Sequence, residues 1–156
     1  MTSKVEARIL ELDYTLPEIA APLAAYIPAI QVGNIITTSG QLPTVNGKIA
    51  VSGFVGEGGT PTDEAAVGAR ICTLNALAAI KQVCGDLDQI KRIIRVVCYV
   101  QSLPSFKAQP QVANGASLFL QSVFGEENGK HIRSALGVAA LPLDAAVEVE
   151  LTVELK

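Results

Sequence analysis

Ready-made catalytic constellations are scarce in this chain, which holds one histidine and three cysteines. Serine nucleophile chemistry needs a base within reach, and His131 is the only imidazole. No Gly-x-Ser-x-Gly elbow occurs, and Ser39, within Thr38-Ser39-Gly40, reads as a hydroxyl that satisfies backbone groups at a strand end. His131 reads as an exposed loop residue, although its reference pKa of about 6.5 suits acid–base work. Cys72, Cys84 and Cys98 form no C-x-x-C pair, and with His131 they show no ligand spacing. Free thiols in a reducing cytosol are therefore expected, without a metal site or a disulfide framework.

The stretch Gly53-Phe54-Val55-Gly56-Glu57-Gly58-Gly59 is the one candidate phosphate loop. It lacks the Lys-Ser/Thr ending of a P-loop and does not match the dinucleotide fingerprint. Pro61 removes a backbone N–H from the helix start that follows, and Glu57, Asp63 and Glu64 would repel an anion. A flexible surface loop is the expectation, with no nucleotide cofactor.

Arg133 sits between the polar Lys130-His131 and an apolar run, Ala135 to Ala140. At a strand entrance its planar fork can take a carboxylate in bidentate fashion, or it can form a surface ion pair. Glu148 lies on an alternating strand with Glu150 and Glu154, where a solvated face is the ordinary reading. Composition and periodicity leave both choices open.

These residues need elements to position them. Val5 to Ile9 alternates as a half-buried strand does, and Pro17, Pro22 and Pro28 break up the connection after it. Ile30 to Gln41 reads as a hairpin turning at Gly33-Asn34, and a turn at Asn46-Gly47 leads into a short strand, Lys48 to Ser52. Thr60 is the expected N-cap of a helix with Pro61 in its first position, running to about Val83 and closed by Gly85. Val67, Ile71, Leu74 and Ala78 form its apolar stripe, widened by Leu77 and Ile80. Ile90 to Gln101 is the strongest strand, with Ile94, Val96, Cys98 and Val100 on one face. A second helix follows from Pro110 to Gly125, then strands over about Ser134 to Ala140 and Ala146 to Leu155, joined through Leu141-Pro142-Leu143-Asp144. Two helices on one face of a mixed sheet make an α+β two-layer domain spanning residues 1–156.

At 156 residues the chain is about one domain in size, and its 49% apolar and 17% charged residues exclude a disordered chain. A net charge of −3 with no basic run excludes general nucleic-acid affinity. Apolar segments are interrupted by Arg70, Lys81 or Pro28, and no signal-peptide core is found near Met1, so no membrane partner is expected. Aromatic residues make up 4% and the mean hydropathy is +0.38, which suggests apolar surface covered by other copies of the chain.

The segment from Arg133 through Leu141-Pro142-Leu143 to Val147-Glu148-Val149-Glu150 resembles the closing signature of the RidA/YjgF family, the reactive-intermediate (enamine/imine) deaminases, also called endoribonuclease L-PSP-like. Gly33-Asn34-Ile35-Ile36-Thr37-Thr38-Ser39-Gly40-Gln41-Leu42-Pro43 resembles that family's first hairpin. The resemblance covers nearly all of the chain from Tyr26, in a divergent, longer subgroup. It implies a chorismate-mutase-like fold and a cytoplasmic homotrimer whose ligand clefts lie between subunits. It also implies hydrolysis of small 2-imino acids to 2-keto acids and ammonia, without cofactor or metal. In this resemblance Arg133 matches the arginine that holds the substrate carboxylate and Glu148 the acid that positions water. Tyr26, Ser39, Gly40 and Asn114 match residues lining the cleft. The alternative is a non-catalytic trimer that captures a small carboxylate on the same arginine.

Overall fold

A computed structural model describes residues 3–19 and 25–156 of the chain. The elements run α1 (Lys4–Glu11), β1 (Ala29–Val32), β2 (Ile35–Thr38), β3 (Thr44–Val45), β4 (Lys48–Ile49), α2 (Thr62–Cys84), β5 (Ile90–Gln101), α3 (Gln109–Gly129), β6 (Ile132–Val138) and β7 (Val147–Leu155). Five strands form one sheet in the order β1-β2-β7-β5-β6, and β3 and β4 pair separately. Only β5 and β6 are parallel, because α3 supplies the crossover between them. The result is the expected α+β layering on a mixed sheet.

β7 shows why the layers separate. Val147, Val149, Leu151, Val153 and Leu155 are all buried, while Glu148, Glu150, Thr152 and Glu154 alternate with them on the other face. α2 packs over the buried face with small residues, Ala65, Ala69, Cys72, Ala76 and Ala79, which let its backbone lie close to the strands. At Gly68 an added Cβ would stand 3.0 Å from a methyl of Val147. α3 then packs on α2 and β5 through Val112, Ala113, Ala116, Phe119 and Leu120. Among the described residues no helix is long and apolar enough to cross a membrane.

Several expectations give way to tertiary contacts. Val5–Ile9 is helical: Ser3 accepts the Glu6 N–H, and the Asp88 carboxylate accepts the N–H groups of Lys4 and Val5 at 2.9 Å. Val5, Ile9 and Leu12 then share one face against the core, a helical spacing hidden within a five-residue alternation. In β5 a register shift between Ile93 and Arg95 inserts one residue, so Ile93 joins Val96, Cys98 and Val100 in the core and Ile94 turns partly outward. α2 begins at Thr62 with Pro61 as its cap residue, because the Thr60 hydroxyl donates to the Ser52 carbonyl. Val67 is exposed, since the buried stripe is the small-residue one. The residue 53–59 stretch is a bonded turn: the Val55 side chain is buried, and its N–H donates to Gln101 O at 2.7 Å. Pro22 lies outside the described residues.

Where α2 and α3 cross, Gly115 touches backbone: a Cβ there would overlap the Ala66 carbonyl. Neither main chain can yield without shifting a whole helix. Gly115→Ala is therefore expected to lower the unfolding free energy by about 3 kcal/mol, the upper end for overpacking, as read by urea denaturation. An unchanged midpoint would show that the two helices are not held at this distance.

Candidate active site

The two residues with the clearest chemical potential are carried by neighbouring parts of one sheet. Arg133 is in β6, opposite Val96 of β5 in parallel register. Val96 is a core residue, so Arg133 lies on the helix-covered side at the sheet's edge. Its Nη1 donates to Asn114 Oδ1 at 2.8 Å and to Ser117 Oγ at 3.1 Å, both on α3. Asn114 and Ser117 are three residues apart and so share one helix face. The two hydrogens of Nη1 are thereby used. Nη2 and Nε donate to nothing among the described residues, and no carboxylate pairs with this guanidinium there.

Ser117 is itself held. Its Oγ lies 2.8 Å from His131 Nε2, while His131 Nδ1 lies 2.7 Å from the Gly129 carbonyl. A carbonyl only accepts, so Nδ1 carries a proton, and in the neutral ring the Ser117 hydroxyl donates to Nε2. His131 is therefore half-buried with both ring nitrogens engaged, and is no free loop residue. Burial, more than the nearby Arg133 charge, holds its pKa below the usual histidine range. The signals for this pair are Gly125 and Gly129. Gly125, at φ 81° and ψ 169°, breaks α3, and the last turn folds back until Gly129 touches the helix.

Glu148 faces the other way. It pairs across with Tyr99 on the face opposite the helices, beside Glu150, whose Oε1 accepts from the Tyr99 hydroxyl at 3.1 Å. The Glu148 carboxylate has no hydrogen-bond partner among the described residues, and Gly40 backs directly onto it. A Cβ at residue 40 would overlap Glu148 Oε1. Gly40 is held there because Gln41 exchanges both backbone bonds with Val149, at 2.8 and 3.0 Å. Burial and then the Glu150 charge raise the Glu148 pKa above the usual carboxylate range. The Ser39 hydroxyl donates to Ile27 O at 2.7 Å, a backbone-satisfying role, and Tyr26 next to Ile27 is exposed.

One chain thus brings Arg133, Asn114, Ser117 and His131 together at one sheet edge. Glu148, Gly40, Ser39 and Tyr26 gather around the first hairpin on the other side. The guanidinium and the Glu148 carboxylate do not converge within a protomer. Further along β6, a groove of about 640 Å³ that Arg133 does not itself line runs past Leu103, Pro104, Phe106, Ala135 and Leu136. Among the described residues no three His, Cys, Asp or Glu side chains are grouped to hold a metal ion.

The raised Glu148 pKa carries a stability consequence. Below the ordinary glutamate range both folded and unfolded carboxyls are protonated, and the group does not affect folding. As pH rises the unfolded chain ionises first, so stability falls and stays reduced above the folded pKa. Glu148→Gln is expected to melt higher than the wild type at pH 7 and equal to it near pH 3, in thermal unfolding across that range. A lower melting temperature at pH 7 would contradict this.

Residues 6–155 match the family model described as "YjgF/chorismate_mutase-like, putative endoribonuclease". The chain is 42% identical to Protein TCP17 of Trypanosoma cruzi over 99% of its own length and 96% of that protein's. It is 29% identical to the 2-iminobutanoate/2-iminopropanoate deaminase of Escherichia coli, covering 83% of this chain and 87% of that one. A crystal structure of a putative endoribonuclease from Shewanella oneidensis superposes with a TM-score of 0.91 at 36% identity, over 97% of this chain and 99% of its counterpart.

Proposed function

The chain belongs to the YjgF/chorismate mutase-like family, and from that premise we propose that it is a hydrolytic deaminase of small 2-imino acids. It works as a cytoplasmic homotrimer in which the arginine edge of one subunit meets the Glu148 face of the next. The observation that carries the reading is the unpaired edge of Arg133. One guanidinium nitrogen is fixed by Asn114 and Ser117, and the Nε–Nη2 side is left to receive a carboxylate. The relative named 2-iminobutanoate/2-iminopropanoate deaminase supports the substrate class.

The reaction needs little machinery. An imine carbon is already electrophilic, and more so when its nitrogen is protonated, so no covalent nucleophile is required. Arg133 holds the carboxylate and sets the orientation. Glu148 takes a proton from water as the water oxygen bonds to the carbon of the protonated imine, giving a neutral tetrahedral amino alcohol and a neutral carboxyl. The same carboxyl gives that proton to nitrogen. As the C–N bond breaks to release ammonia, the regenerated carboxylate takes the hydroxyl proton, forming the C=O of the 2-keto acid. That proton passes to ammonia, giving ammonium and restoring the carboxylate. Burial, which raises its pKa, makes the carboxylate a stronger acceptor of the water proton than an exposed glutamate. Ser39, Gly40 and Tyr26 line the Glu148 side of the cleft, and Asn114 the arginine side. The groove past Leu103, Phe106 and Leu136 accepts a short aliphatic side chain.

With 2-iminobutanoate generated from threonine by a pyridoxal-phosphate dehydratase, Arg133→Ala is expected to lose at least about a hundredfold in kcat/KM while remaining trimeric by light scattering. Glu148→Gln should retain 2-ketobutanoate binding and lose about 10²–10⁴ in kcat. If the site is shared between copies, mixing the two inactive variants regenerates intact sites at about a quarter of the interfaces. Recovery of activity on mixing supports the shared site; no recovery refutes it. Tight keto-acid binding without turnover by the wild type would make the protein a trimeric carboxylate binder instead of an enzyme.

A further inference from the structure

We propose that Ser117 and His131 are positioning residues that lock the guanidinium of Arg133 in its ligand-receiving orientation. The proposal rests on the carboxylate-holding role of Arg133 given above. Its basis is a chain of hydrogen bonds in which each direction is determined by chemistry. Gly129 O can only accept, so His131 Nδ1 donates, and in the neutral ring that leaves Nε2 as the acceptor. Ser117 therefore spends its single proton on Nε2, which turns an oxygen lone pair toward Arg133 Nη1. Asn114 Oδ1 takes the second hydrogen of the same nitrogen. With both hydrogens of Nη1 bound, rotation about the guanidinium C–N bonds is blocked and the Nε–Nη2 edge points one way.

Ser117 is buried, with 8% of its surface exposed, so no water substitutes freely for these bonds. The supporting architecture is specific to this arrangement. Gly115 lets α3 approach α2, which sets Asn114 and Ser117 against β6. The break at Gly125 turns the last turn back, and a Cβ at Gly129 would stand 2.7 Å from Gln121 Cα and 2.8 Å from Leu120 O. Only a residue without a side chain brings the 129 carbonyl near enough to the helix to fix the imidazole beside Ser117. Removing the serine leaves Arg133 with Asn114 alone. Removing the imidazole frees the Ser117 hydroxyl to rotate, so that its lone pair is no longer aimed at Nη1. In either case the free edge then samples several directions.

The test uses the full-length protein and two independent readouts. In the ligand-free state, arginine-labelled NMR should show separate, slowly exchanging Nη signals for Arg133, identified by their loss in Arg133→Ala. Those signals should collapse to an averaged resonance in Ser117→Ala and in His131→Phe. Calorimetry with 2-ketobutanoate should give a Kd about tenfold weaker in both variants, and Ser117→Thr, which keeps the hydroxyl, should return close to wild type. In turnover, the loss should fall on KM, with kcat changed less than about twofold. A merely structural role would lower the melting temperature without separating KM from kcat and without rescue by threonine.

Persistent separate Nη signals with unchanged Kd in both variants would overturn the proposal. If Ser117→Ala does not fold, His131→Phe decides by the same measurements, because His131 is only half-buried. If Arg133→Ala binds the keto acid as well as wild type, the carboxylate-holding role fails. In that case the NMR signals still decide whether Ser117 and His131 fix the guanidinium.

Discussion

Successive residues of a β-strand point to opposite faces, and in this protein that alternation separates the two halves of the candidate site. Glu148 lies between Val147 and Val149, both sealed under α2, so its carboxylate must emerge on the uncovered face. Arg133 is aligned with core residue Val96 and so emerges on the covered side. No side-chain rotation moves either group through the sheet. Under the proposed function, the pair can act together only through the way a second copy is placed against the first.

Each half is prepared differently. The arginine is held through hydrogen bonds, with Asn114 and Ser117 on one nitrogen and His131 behind the serine. The glutamate is held by steric confinement: Gly40 presses its backbone against the carboxylate, and burial with the Glu150 charge disfavours ionisation. Glu150 itself differs from Glu148 although both face the same way, because the Tyr99 hydroxyl satisfies it. Two glutamates with the same sequence setting thus acquire different chemistry from their cross-strand neighbours. A half-buried acid without a partner is a feature that folding alone does not favour.

What could be read from the sequence follows from how local each signal is. β5 was legible over its full Ile90–Gln101 length, and β7 from its strict alternation, since both patterns need no partner to be recognised. The family likeness, carried by the hairpin and the Arg133–Glu150 string, was legible for the same reason and agrees with the match over residues 6–155. The α1 helix was not, because a non-local acceptor, Asp88, and the Ser3 cap decide it. The phase of β5 around Ile93 was hidden by a bulge that only pairing with β7 defines. Ser117 and His131 lie fourteen residues apart and meet only because Gly125 reverses the chain, so no spacing rule announces them.

The opposite placement of the two halves also restricts the assembly that unites them. A two-fold dimer uses the same patch of both subunits, and so unites an arginine edge with a glutamate face only where one patch contains both. Joining unlike surfaces is a head-to-tail contact, which leaves one arginine edge and one glutamate face free on every open chain of subunits. Such a contact ends only when a ring closes or else continues as a filament. The uncompensated groups favour closure: an open end leaves a half-buried Glu148 without a partner and a guanidinium edge unmet, whereas a ring offers each a neighbour across the boundary. Under the proposed function, ring closure makes the number of clefts equal to the number of subunits, whereas an open head-to-tail chain has one cleft fewer.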